Sequence, residues 1–203
     1  MEEKELIKRI KKQDEEAFRE LVDLYKNKIY SLCFSMLKNE HDAEDAAQET
    51  FIKVYTKIGK FKEDSTLYTW IYKIATNTCL DYIRKNKRAK IVSINETDED
   101  GKTLFDIVSP SGNPEEGANN ALFLEELKKA IDKLPPDMKT AVVLRDIHDI
   151  PYQEIAQITN SNLGTVKSRI SRGRAVLKKL LSQWEHLSEK SVKEVKGGAE
   201  YEM

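Results

Sequence analysis

The sequence predicts an all-α protein: two small helical domains joined by a flexible acidic linker, the second containing a helix-turn-helix. Three observations lead there. Apolar residues recur at three- and four-residue spacing through residues 2–90 and 122–181, and neither stretch shows the alternation of a half-buried strand. Between them, residues 91–121 lose that periodicity and hold seven Asp/Glu against one Lys, with two prolines and three glycines. Such a run is too long and too charged to sit inside a compact fold. Residues 152–181 read as two helical patterns across a short polar turn, and from Gly164 to Leu181 there are six Lys/Arg and no acid. The expected domains are therefore 1–90 and 122–187, with 91–121 as linker and 188–203 as a disordered tail.

In chain order, Leu6, Ile7 and Ile10 give a short apolar face, and Ala17, Phe18, Leu21, Val22, Tyr25, Ile29, Leu32, Cys33 and Met36 a longer one. The next helix is predicted over 42–58, with acids crowding its first turn where the helix dipole favours them. Ala43, Ala47, Phe51, Val54 and Ile58 face inward, which leaves Asp45, Gln48, Glu49 and Ile52 outside. An apolar residue among exposed acids tilts that face toward a protein contact. After Gly59 comes a polar link, then a helix over about 67–88 whose packing side is Trp70, Ile71, Ile74 and Ala75. Tyr68, Thr69, Tyr72, Lys73, Thr76, Asn77 and Tyr82 lend it aromatic and hydrogen-bonding groups, and it ends in RKNKRAK. Aromatics and amides followed by cations suit a platform for single-stranded or distorted nucleic acid, where bases stack and cations hold phosphates.

The second domain opens on Leu124, Leu127, Ile131 and Leu134, stopped by Pro135-Pro136. Met138, Ala141, Val142 and Leu144 line the next helix, and Pro151 introduces YQEIAQI. Thr159–Asn162 forms the turn, in which Asn160 is suited to a left-handed conformation and Ser161 to capping the following helix. There Leu163, Val166, Ile170 and Leu177 share a buried stripe, while Gly164, Thr165, Ser168 and Arg172 face away from it with Lys167 and Arg169 on the flanks. Small residues flanked by long cations suit a reader of the DNA major groove.

Several function classes find no support. The formal net charge is -1, so only charge placement, not total charge, points to nucleic acid. Cys33 and Cys79 are isolated and the three histidines scattered, which disfavours a disulfide scaffold, a metal site or any cofactor. No phosphate loop, HExxH or G-x-S-x-G occurs, so binding is favoured over catalysis. With no apolar leader and no long charge-free run, a cytoplasmic protein is expected.

Two long motifs then become specific. DAEDAAQETFIKVYTKIGKFKEDSTLYTWIYKIATNTCLDYIRKNKR, residues 42–88, resembles region two of the extracytoplasmic-function (group IV) subfamily of the sigma-70 family of bacterial RNA polymerase sigma factors. LPPDMKTAVVLRDIHDIPYQEIAQITNSNLGTVKSRISRGRAVLKKL, residues 134–180, resembles their region four, and the order of the two with no third region between them agrees. The subgroup that looks most similar responds to envelope stress in Gram-positive bacteria.

The resemblance implies a factor that binds core RNA polymerase and directs promoter-specific initiation, reading the -35 element as duplex and the -10 element as a single strand. Asp45, Gln48, Glu49 and Ile52 would dock on the β′ coiled coil. Phe61, Lys62, Asp64, Ser65 and Thr66 match the base-capturing loop, Asn77 a polar position near the strand, and Arg84, Lys85, Lys87 and Arg88 would hold its backbone. Thr165, Lys167, Ser168, Arg169 and Arg172 would contact the -35 element, with the β flap beneath the same domain. An anti-sigma factor, often membrane-anchored in the family, is a further implied partner of a free protein expected to be monomeric. The chain departs from the family at Thr159-Asn160-Ser161-Asn162, where Leu-Gly-Cys-Pro or similar is usual, and at Ala46-Ala47, which replace a bulkier pair. An ordinary DNA-binding regulator would account for residues 152–180 but leave 67–88 idle. A protein-interaction module would leave both basic faces merely wetted.

Overall fold

In the computed structural model, the backbone is described for residues 3–92 and 114–198 and side chains for 3–87 and 122–182. Every regular element among the described residues is helical: α1 Glu3–Lys11, α2 Glu15–Leu37, α3 Glu40–Lys57, a 3₁₀ turn Ile58–Lys60, α4 Leu67–Val92, α5 Pro114–Asp132, α6 Pro136–Val142 running into a π turn Val143–Ile147, α7 Tyr152–Ile158 and α8 Leu163–Gly198. The all-α expectation holds.

Contacts group the chain into two compact units. One comprises Met1–Lys102 with Val143–Lys167, and the other Thr103–Val142 with Ser168–Met203. Residues 143–167 join the first unit because α7 lies against α4: the Thr69 hydroxyl donates to Glu154 Oε2 at 2.8 Å, and the Tyr72 and His148 rings meet edge to face at 6.1 Å. Residues 93–113 of the expected linker lie outside the described residues, while its two ends belong to α4 and α5. α8 continues to Gly198, so residues 188–198, expected to be disordered, are helical. That segment has no proline and is rich in Lys, Glu and Ser up to Lys196, so intrinsic propensity carries the helix after the apolar period fades.

In the first unit, α1–α4 enclose a core of Leu6, Ile7, Ile10, Leu21, Ile29, Leu32, Met36, Val54, Ile58, Leu67 and Ile71, each buried as its spacing requires. The α3 face is built of Ala43, Ala46 and Ala47, whose small side chains let the neighbouring helices come close. Both cysteines are buried. The helix starts are set by side chains that accept the orphan N–H groups of a first turn. Asp14 caps α2 through Ala17 N at 3.0 Å, Asn39 caps α3 through Asp42 N at 2.9 Å, and Thr66 caps α4 through Thr69 N at 3.1 Å.

The start of α8 differs from expectation. Asn162 Oδ1, not the Ser161 hydroxyl, accepts the Thr165 N–H, at 2.7 Å. Asn160 is left-handed at φ 50°, the Asn160 N–H reaches Gln157 O and the Ser161 N–H reaches Ala156 O at 2.9 Å. That pair of bonds is a Schellman closure of α7. It uses Ser161 to end one helix and leaves Asn162 to begin the next. In the second unit, Ala130, Ile131 and Leu134 are buried, as are Ala141, Val142, Ile170 and Leu177. α6 and α8 approach closely at Gly173, where a Cβ would lie 2.7 Å from Val142 Cγ2.

Candidate functional site

The structure places the sequence-predicted residues in three groups. The first lies on α3. Gln48 is exposed, Asp45 and Glu49 are half-exposed, and Ile52 is 63% exposed. Asp45 has His41 Nε2 at 3.7 Å, and Glu49 is paired with Lys53 at 2.7 Å. About two turns of an acidic helix thus present two carboxylates and an amide around one bare aliphatic side chain, a face suited to a basic protein partner with an apolar contact at its centre.

Residues missed by the sequence reading fasten this face to α4. Lys53 Nζ also donates to Thr78 Oγ1 at 3.0 Å, and Asn86 Nδ2 donates to Asp42 Oδ2 at 3.0 Å. Tyr82 lies between these ties. Burial first, then the Glu49 and Asp45 carboxylates, raise its hydroxyl pKa above the usual tyrosine value. No sequence signal pointed to these pairs, since they join helices that only packing brings side by side.

The second group is the loop before α4 together with the exposed stripe of that helix. Phe61 is 3% exposed, its ring against Trp70 with centroids 5.0 Å apart. It underlies the loop rather than projecting from it, because an aromatic ring in a short polar link finds its apolar partner below. Lys62, Asp64 and Thr66 are exposed and Ser65 half-exposed. Thr66 and Thr69 hydroxyls are 2.8 Å apart. Since Thr69 gives its proton to Glu154, Thr66 is the donor of that pair.

Along α4, Asn77 and Arg84 are exposed at a seven-residue spacing that keeps them on one face, with exposed Lys85 and Lys87 to either side. Arg84 is held at 2.9 Å by Asp81 in an exposed pair of little energetic weight. The Arg88 side chain lies outside the described residues. The broad aromatic platform expected on this helix is narrower in fact. Tyr72, Thr69 and Thr76 are buried, with Tyr72 between Tyr68 and His148. Tyr68, Lys73 and Tyr82 are half-buried, and Asn77 alone of that set is fully exposed. Trp70, read as a core residue, is half-buried.

The third group lies on α8. Lys167 and Arg172 are exposed, and Thr165 and Ser168 half-buried. Helical geometry sets Thr165, Ser168, Arg169 and Arg172 within about 100° of one another, with Lys167 about 100° beyond Ser168, away from the other three. Arg169 is engaged with Asp137 at 2.6 Å. Asp137 also sits at the start of α6, so this pair ties the flank of α8 to α6 and orients the guanidinium.

Comparison with known proteins gives the family. The sigma-70 region 2 family matches residues 21–89 and the sigma-70 region 4 family residues 124–177. The chain is 41% identical to the ECF RNA polymerase sigma factor SigW of Bacillus subtilis (strain 168) over 179 residues, 88% of this chain and 96% of that protein. It is 36% identical to the ECF RNA polymerase sigma-E factor of Escherichia coli (strain K12), over 85% of this chain and 90% of that one. Among solved structures, the sigma factor RpoE in complex with the anti-sigma factor NepR from Bartonella quintana superposes with a TM-score of 0.65 at 27% identity, covering 81% of this chain and 96% of that one. Two region families in the expected order and a relative matched along nearly its whole length leave one assignment: the chain belongs to the extracytoplasmic-function, group IV branch of the sigma-70 family of bacterial RNA polymerase sigma factors.

Proposed function

We propose that the three surfaces divide the work of initiation. As a member of this family the protein binds core RNA polymerase, directs promoter recognition, acts in the cytoplasm and catalyses no reaction itself. Asp45, Gln48, Glu49 and Ile52 form the polymerase-docking face, with β′ as partner. Lys62, Asp64, Ser65, Thr66 and Asn77 take the -10 bases as a single strand, over a floor that Phe61 supplies. Arg84, Lys85, Lys87 and Arg88 hold the backbone of that strand. Thr165, Lys167, Ser168, Arg169 and Arg172 read the -35 duplex, with the β flap beneath the same domain. The domains that carry these surfaces are residues 1–90 and 122–187.

The observation that carries this reading is the exposed stripe of α4. Asn77 is bare at its middle and Arg84, Lys85 and Lys87 at its end, beyond a loop whose polar side chains point outward over a buried ring. Capturing an unstacked base costs a few kcal/mol, which contacts in a preformed loop offset. Phosphate contacts give affinity without sequence information, so the duplex-reading surface supplies register. An anti-sigma factor is a further partner, a reading that the complex of the related RpoE with NepR supports.

Run-off transcription with sigma-free core polymerase tests the assignment. Adding the protein should give initiation at one start site, and Asn77→Ala should impair strand opening more than core binding. Normal permanganate reactivity of the -10 thymines in the Asn77→Ala holoenzyme would remove that residue from the site.

A further inference from the structure

The loop between Phe61 and Thr66 is held by α1, an element with no part in the surfaces above. Lys11, the last residue of α1, places Nζ 2.7 Å from Glu63 Oε1 and 5.8 Å from the centre of the Phe61 ring. At the other end of α1, Glu3 Oε1 accepts the Leu67 N–H at 3.2 Å, one residue past the loop. Glu63 itself has φ 61°, the left-handed region that a non-glycine side chain disfavours. A strained backbone persists only where its surroundings over-determine it, and such residues gather where geometry is functional. The Lys11 hydrogen bond, and then its charge, hold the Glu63 carboxyl below the usual glutamate range.

We infer that Lys11 is a positioning residue for -10 recognition: by clamping Glu63 in its left-handed conformation above Phe61, it fixes the outward direction of Lys62, Asp64 and Ser65. The Glu63 side chain is tied to Lys11 at 2.7 Å, while its neighbours Lys62 and Asp64 are exposed. Without the clamp the left-handed turn has no partner, and the loop samples other conformations before each base is captured. The ordering cost then falls on recognition. Global stability is a poor reporter of this pair, because Lys11 and Glu63 are 29% and 47% exposed and such pairs contribute little to folding.

The inference rests on the loop's reading as the base-capturing segment, and the experiment separates the two. Holoenzyme is assembled from core polymerase and the full chain, and abortive initiation is measured on promoters with each -10 base varied in turn. The double variant Asp64→Ala with Ser65→Ala tests the loop itself, and unchanged base preference there removes the loop reading and this inference together. With that control sensitive, Lys11→Met should lower the preference at one or two adjacent -10 positions by about threefold to fivefold, the range an exposed ion pair supports. Core affinity and thermal midpoint should not change. Lys11→Arg should restore the preference, and so should the exchange of Lys11→Glu with Glu63→Lys. Glu63→Gly, free to adopt a positive φ, should keep or raise the midpoint and still lose base preference. Wild-type preference in Lys11→Met, or a loss that tracks the midpoint and survives the exchange, overturns the inference.

Discussion

His148 follows the π turn and packs edge-on against Tyr72, and burial pushes its pKa down to about 4. A base whose folded pKa lies below its unfolded value binds protons more readily in the unfolded chain. Stability is therefore complete above about 6.5 and is lost as pH falls toward 4. Between pH 6.5 and 5 the loss should be about 1.5 kcal/mol, and His148→Gln should flatten that part of the stability profile measured by urea unfolding. An unchanged slope would mean the ring is not buried in solution. Asn162→Ala should lower the thermal midpoint by about 2–4 °C, the effect of roughly 1 kcal/mol of lost capping in a chain of this size. Ser161→Ala should have the smaller effect, because the Ser161 side chain donates to Thr159 O at 3.2 Å rather than capping α8. The sequence reading put the cap at Ser161, one residue before the Asn162 that serves. Which one served depended on Asn160 taking the left-handed position and on the Schellman closure then consuming the Ser161 N–H.

The helices themselves were legible, since most of each apolar stripe of α1–α4 became a buried face, with Phe18, Val22, Tyr25, Phe51, Trp70 and Ile74 only half-buried at its margins. The exposed face of α4 was legible only in part. Asn77, Arg84, Lys85 and Lys87 are bare as read, but Tyr72, Thr69 and Thr76 are buried. Periodicity reports which side of a helix is apolar. It does not report that a second helix, α7, covers a polar sector by offering Glu154 to Thr69. The ties between α3 and α4 were equally hidden, and their strength is measurable. Lys53→Met removes the partner of the fully buried Thr78 hydroxyl, which should cost about 1–2 kcal/mol in urea unfolding, with Thr78→Val in the same background recovering part of it. Full additivity of the two changes would show that Lys53 and Thr78 do not interact. Gly173→Ala should also destabilise, by about 1–3 kcal/mol from overpacking against Val142 less the roughly 1 kcal/mol gained in helix propensity.

At the scale of the whole molecule, one chain carries an acidic face on α3, an exposed polar and basic stripe on α4 with its loop, and a basic face on α8, and the proposal assigns them docking, strand reading and duplex reading in turn. The order of the two region motifs made the family legible. The atypical turn at Thr159–Asn162, which departs from Leu-Gly-Cys-Pro, closes α7 and caps α8 by ordinary means. The helix-turn-helix therefore survives the departure. On the proposed reading, the departure bears on promoter preference, which Thr165, Ser168 and Arg172 would set at the base edges. Selection from a random promoter library by reconstituted holoenzyme tests the division of labour most directly. Two sequence blocks at fixed spacing should be enriched. Arg172→Ala should relax the upstream block alone and Asn77→Ala the downstream block alone, each with core affinity retained. Loss of both blocks in either variant, or tight core binding with no block enriched, would contradict the account.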